Sequence, residues 1–129
     1  MIRVQAEGFD ELSRVLTAAS RRAPEETKKI VSKGALNIKT DWRRRWSGLA
    51  HAPALPYAVT YDVRSSGTNV QAEIGPDKAK RQGALGNILE YGTIKNAAIP
   101  GGRPALEKEE RPFLKHLEDM AARLIEEDE

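Results

Sequence analysis

The chain has 129 residues, 40% hydrophobic and 31% charged, with a net charge of +2 and no cysteine. Its length suits one domain with one core. The absent cysteine removes disulfides, thiolate catalysis and thiolate metal sites, and fits a reducing compartment. The near balance of charge gives little global pull toward nucleic acid, so only a local patch could supply one. No apolar run reaches the roughly 20 residues of a membrane span, and "MIRVQAEGFDEL" lacks the apolar stretch of a secretion signal.

In chain order, Phe9, Leu12, Val15, Leu16 and Ala19 recur at helical spacing and predict a short helix over 9–22, with Gly8 marking its start. A second, longer helix is predicted from Pro24 to Trp46. Pro24, Glu25 and Glu26 suit a first turn, and Arg43, Arg44 and Arg45 suit a last one. Ile30, Val31, Ala35, Ile38 and Trp42 form its apolar stripe, interrupted by Gly34, which a close helix approach would explain. Gly48 is the stop.

The period then changes to two. "YAVTYDVR" puts Tyr57, Val59, Tyr61 and Val63 on one face, "SSGTN" turns, and "VQAEIG" alternates through Val70, Ala72 and Ile74. This predicts a β-hairpin, 57–64 with 70–75. Alone it would be marginal, so its apolar face must pack on the helices or join other strands. Two Gly- and Lys-containing stretches, about 76–87 and 94–103, are expected to be mobile loops in an isolated subunit. The last helix is predicted to start near Pro104 or to be reset at Pro112, with a stripe of Phe113, Leu117, Met120 and Leu124. The fold class is therefore α+β: two N-terminal helices, a central antiparallel hairpin or small sheet, and a C-terminal amphipathic helix. The expected core holds Leu12, Ile30, Ile38, Trp42, Val59, Tyr61, Ile74, Phe113, Leu117 and Leu124.

Reactive constellations are hard to find. His51 and His116 have no metal-ligand spacing, "GALG" and "PGGRP" lack the Walker and dinucleotide patterns, and Ser47, Ser65 and Ser66 lack a nucleophile elbow. No catalytic, cofactor or metal residue is assigned, and no cofactor is expected. The pairs Glu109/Glu110 and Glu126/Glu127 read as solvated helix surface. The best surface for nucleic acid is "DWRRRWSG": aromatics beside Arg43, Arg44 and Arg45 could stack on bases and neutralise phosphates. The competing reading packs Trp42 and Trp46 inward, with the arginines at the negative end of the helix dipole.

Three motifs occur in order: Gly8-Phe9-Asp10-Glu11-Leu12, Glu90-Tyr91-Gly92-Thr93 and Arg111-Pro112-Phe113-Leu114. In this order the chain resembles the small tail-component or neck family of long-tailed bacteriophages, the tail-completion or head–tail joining proteins. The likeness runs over nearly the whole chain. It departs where many relatives carry Asp-Thr-Gly-x-Leu, since this chain has Trp46-Ser47-Gly48-Leu49 there.

The resemblance implies a non-enzymatic virion protein, a subunit of a homo-oligomeric ring, a hexamer, at the neck or upper tail. Its partners would be itself and neighbouring neck and tail-tube proteins. DNA would pass only transiently through the lumen, and no membrane would be involved. The protein would lie in the virion, and in the host cytoplasm during assembly. Candidate subunit contacts are Glu90, Tyr91, Gly92, Thr93, Arg103 and Pro104; candidate DNA-facing residues are Arg43, Arg44 and Arg45. The alternative is a small nucleic-acid-binding module using the Trp/Arg helix end 42–46.

Overall fold

Pro24, Glu25 and Glu26 do open a long helix. In the computed structural model, which describes residues 2–5, 23–66 and 69–128, helix α1 runs Ala23–Arg45. Glu25 and Glu26 occupy its first turn and the three arginines its last, each sign matched to the helix dipole. Val31, Ala35, Ile38 and Trp42 are buried at 4-3-4 spacing, and Trp46 is buried just beyond. Gly48, at φ 82°, ends the run in a conformation that glycine adopts most cheaply. The helix expected over 9–22, with Leu12, lies outside the described residues.

The strand of the hairpin begins two residues later than the alternation suggested. Leu55–Ala58 is a single helical turn, α2, with Pro56 in it and Tyr57 exposed (70%). Proline has no N–H for a strand ladder and is at home in a first helical turn, so "LPYA" turns and buries Leu55 and Ala58. Tyr57 therefore leaves the inward face assigned to it. Strand β2, Val59–Ser66, pairs antiparallel with β3, Asn69–Pro76, in the register Val59↔Pro76 to Ser66↔Asn69. Val59, Val70, Ala72 and Ile74 are buried, while Tyr61 and Val63 are half-buried against the same core.

A third strand completes the sheet. β1, Ile2–Gln5, pairs antiparallel with β3 from Ile2↔Ile74 to Gln5↔Gln71, giving the order β1-β3-β2. The hairpin thus both gains a strand and packs on α1.

After β3 come a short 3-10 turn, Gly83–Leu85, and helix α3, Gly86–Tyr91. The final helix, α4, runs Gly102–Asp128 without a break, about 40 Å at 1.5 Å per residue. It starts ahead of Pro104 and is not reset at Pro112. Pro104 sits in the first turn, where a missing N–H loses nothing, and Pro112 is on the exposed side of the helix.

Helices α1 and α4 lie antiparallel. Glu26 meets Arg123 (3.0 Å), Gly34 meets Phe113, Asn37 donates to Glu109 (3.0 Å) and Lys108 approaches Asp41 (3.6 Å). A Cβ on Gly34 would stand 3.0 Å from the Phe113 ring, which accounts for glycine inside a helix.

The core has two parts. One joins α1, α2 and the sheet; the other gathers Leu117, Met120, Ala121 and Leu124 of α4, and Phe113 packs against both. Of the expected core, Ile38, Trp42, Val59, Ile74, Leu117 and Leu124 are buried, and Ile30, Tyr61 and Phe113 are partly so.

Leu117 is 1% exposed and central to the second cluster. Leu117→Ala should lower unfolding stability by about 2–5 kcal/mol, read from the denaturant midpoint. An unchanged midpoint would mean that α4 does not hold the molecule together in this way.

Candidate functional site

Nearly all the candidate contact residues come together where α3 ends and α4 begins. The chain leaves α3 at Gly92, whose φ of 75° favours glycine and whose N–H still donates to Ile88 O (2.8 Å). A Cβ there would also stand 2.7 Å from Ala98 N. Thr93 and Asn96 then close a small turn: Thr93 N donates to Asn96 O (2.8 Å), and Asn96 N donates to Thr93 Oγ1 (3.1 Å). Ile99 N donates to Leu89 O (2.7 Å), drawing the returning strand of the loop onto α3.

Glu90 closes the arrangement. Only 8% exposed, its carboxylate accepts from Gly101 N (3.0 Å), Gly102 N (2.9 Å) and, less tightly, Arg103 N (3.4 Å). The first N–H groups of a helix have no partner within it, and they carry the positive end of its dipole. A buried carboxylate 11 to 13 residues upstream satisfies them here. Glu90 is thus an internal brace, with its oxygens turned into the fold rather than toward a neighbour. Tyr91 beside it is 73% exposed, Thr93 is exposed, Arg103 is exposed with Glu107 at 3.5 Å, and Pro104 is half-buried in the first turn of α4.

The tryptophan–arginine helix end abuts this junction. Trp42 and Trp46 are buried and meet edge to face, with centroids 5.4 Å apart and planes at 75°. Trp46 Nε1 donates to Ile99 O (2.8 Å). Gly101 lies against both rings: a Cβ on it would stand 2.6 Å from Trp42 Cδ1 and 2.8 Å from Trp46 Nε1. The indoles therefore present no face on which a base could stack.

The arginines are also engaged. Arg43 Nε donates to Val59 O (2.9 Å), tying the end of α1 to the start of β2. Arg44 and Arg45 both pair with Asp41, and Lys108 of α4 approaches the same carboxylate. Burial alone would raise the Asp41 carboxyl, but the hydrogen bonds and positive charges of Arg44 and Arg45 outweigh it and hold its pKa below the ordinary value. Asp41 is a hub that the sequence reading passed over, although Arg44 and Arg45 at i+3 and i+4 are the spacing by which helix neighbours meet. Glu90 carried no comparable signal, because its partners are backbone groups brought close only by the tertiary fold.

Two shallow grooves follow the seam of α1 and α4. One, about 470 Å³, is lined by Asn37, Asp41, Arg44 and Lys108; the other, about 410 Å³, by Ile30, Gly34, Phe113 and His116. Among the described residues no group of three or more His, Cys, Asp or Glu is placed to hold a metal ion, and no helix is long and apolar enough to cross a membrane.

The surface of the junction is unusual for its apolar content. Leu85, Ile88, Tyr91, Ile94 and Ile99 are all exposed, five of the seven large apolar side chains left open among the described residues. Ile88 and Tyr91 are three apart and so share one side of α3, and Leu85 closes the 3-10 turn just before it. No protein-family model, curated protein sequence or solved structure matches the chain.

Two outcomes test the site. Glu90→Ala strips the start of α4 of its acceptor, so stability should fall by about 0.5–2 kcal/mol, the cost of a lost N-cap. Hydrogen exchange should accelerate at Gly101, Gly102 and Arg103; unchanged protection there would refute the brace.

Asp41 has a folded-state pKa below 3.8, so its contribution is present above pH 3.8 and is lost as pH falls through the folded value. Asp41→Asn should therefore unfold more easily than the parent at neutral pH, and the gap should close on acidification below 3.8. A gap of constant size would show that charge is not its source.

Proposed function

We propose that the chain is a structural virion protein, a subunit of a ring at the phage neck or upper tail, which takes part in head–tail joining or in completing the tail. The observation that carries this reading is the braced junction of α3 and α4. It carries five exposed apolar side chains, Leu85, Ile88 and Tyr91 in and before α3 and Ile94 and Ile99 in the loop that Glu90 and Trp46 hold from behind. Exposed apolar surface of this kind marks protein contact sites. The ordered motifs support the same reading: Glu90-Tyr91-Gly92-Thr93 builds the junction, and Phe113 of the Arg111-Pro112-Phe113-Leu114 step locks α4 onto α1.

The reading is non-enzymatic. Acid–base catalysis draws on carboxylates in protected surroundings. The two buried carboxylates among the described residues, Asp41 and Glu90, are both spent on holding helices together. The nucleic-acid module is the weaker reading, since the two indoles are core and Asp41 compensates two of the three arginines.

A lysate of a phage lacking this protein, viewed by electron microscopy, is expected to contain filled heads and tails that fail to join, or tails of abnormal length. Complete infectious particles in normal numbers would sink the proposal, and capsids empty of DNA would move it to packaging.

A further inference from the structure

The two ends of the long helix pair carry opposite chemistry. At the junction end, Lys78, Lys80, Arg81 and Lys95 are exposed and make no ion pair among the described residues. Along the chain they fall on either side of the exposed Ile88, Tyr91 and Ile94, while the one acidic side chain of α3, Glu90, is buried and engaged. This face is basic and apolar.

The other end lies along the roughly 40 Å of α4. There Ile125 and Glu126 are exposed, the helix ends on Glu127 and Asp128, and Glu118 and Asp119 precede them. Among the described residues, Glu25, Glu26, Glu118, Asp119 and Glu126 outnumber the basic Lys28, Lys29 and Arg123 at this end. Arg123 pairs with Glu26, and Lys29 approaches the same carboxylate (3.7 Å). The last turn of α4 is therefore acidic with an apolar side chain, the complement of the junction face.

We infer that the junction face of one copy receives the last turn of α4 of a second copy, head to tail. This rests on the reading as a ring subunit and names the surface through which the ring would close. Two junction faces meeting about a two-fold axis would set lysines against lysines, at a cost, whereas a junction face against an α4 end pairs opposite charges around an apolar centre. A contact between two different surfaces repeats from copy to copy, as closing a ring requires. A polyanion suits the face less well: its apolar groups are mainly aliphatic, with Tyr91 the one aromatic in the run, and stacking on bases needs aromatic rings.

Two full-length variants test this by sedimentation at matched concentration, each first checked for an unchanged melting curve. One alters the face (Lys80→Glu with Tyr91→Ser), the other the helix end (Ile125→Ser with Glu126→Lys). All four positions are exposed, so the fold should survive. The parent chain is expected to form higher oligomers. Each variant alone should lose them, self-association weakening by about tenfold or more. An equimolar mixture should form a dimer and nothing larger, because only one intact face and one intact end remain per pair.

Variants that assemble like the parent overturn the proposed surface and leave the ring reading standing. A parent chain that stays monomeric at every concentration overturns both. Salt-sensitive binding of a duplex DNA oligonucleotide, lost in the face variant while self-association is unchanged, overturns the second-copy assignment in favour of a polyanion.

Discussion

The packing of Gly101 against the indoles of Trp42 and Trp46 is the constraint from which the rest follows. Only a residue without a Cβ fits against the two rings. That contact sets where the loop from α3 must end and where α4 must begin. α4 begins beside the end of α1 and returns along it, in antiparallel pairs from Asp41/Lys108 to Glu26/Arg123. The Glu90 carboxylate then meets the free N–H groups that this placement creates.

Magnitudes explain why a tryptophan pair suits this seat. The Trp42 indole nitrogen is buried without a hydrogen-bond partner, which costs about 1–3 kcal/mol. Burying an indole removes about 150–250 Å² from water. At about 25 cal/mol per Å² this is worth roughly 4–6 kcal/mol, so burial outweighs the orphaned N–H. Trp46 needs no such compensation, since its nitrogen donates to the loop it supports.

Local rules carried much of the fold. The long first helix, its dipole-matched ends and its stripe were legible because helix periodicity and end charges act over a few residues, and the hairpin was legible because alternation does too. Misreadings arose where two local rules competed. Tyr57 fits a strand by alternation, yet the proline before it starts a helical turn. Pro112 reads as a breaker, yet a long packed helix tolerates it on its exposed side. The strand Ile2–Gln5 is short, and its pairing with β3 spans some 70 residues of sequence, so nothing local announces it.

The candidate site was half legible for the same reason. Gly92 was recognisable as a turn residue from its identity, and Tyr91 is exposed as a contact residue must be. Glu90 was placed with them as a surface residue because the sequence does not show that three backbone N–H groups wait for it. The arginines were read as a patch for a similar reason: their charge is visible in the sequence, and Val59 O as a partner for Arg43 is not.

The junction bears on assembly through entropy as much as through its apolar groups. Ordering a flexible segment on binding costs about 1–2 kcal/mol per residue of backbone, which can consume the gain from a small apolar contact. The segment from Gly92 to Gly101, part of a stretch expected from its sequence to be mobile in an isolated subunit, is instead fastened within it: by its own Thr93–Asn96 turn, by Leu89 and Trp46 at Ile99, and by Glu90 at Gly101. Polar and backbone groups face inward as fasteners while Tyr91, Ile94 and Ile99 stay outside. Each fastener lowers the ordering cost that a neighbour would otherwise have to offset, so the same bonds that seat α4 also prepare a surface for contact.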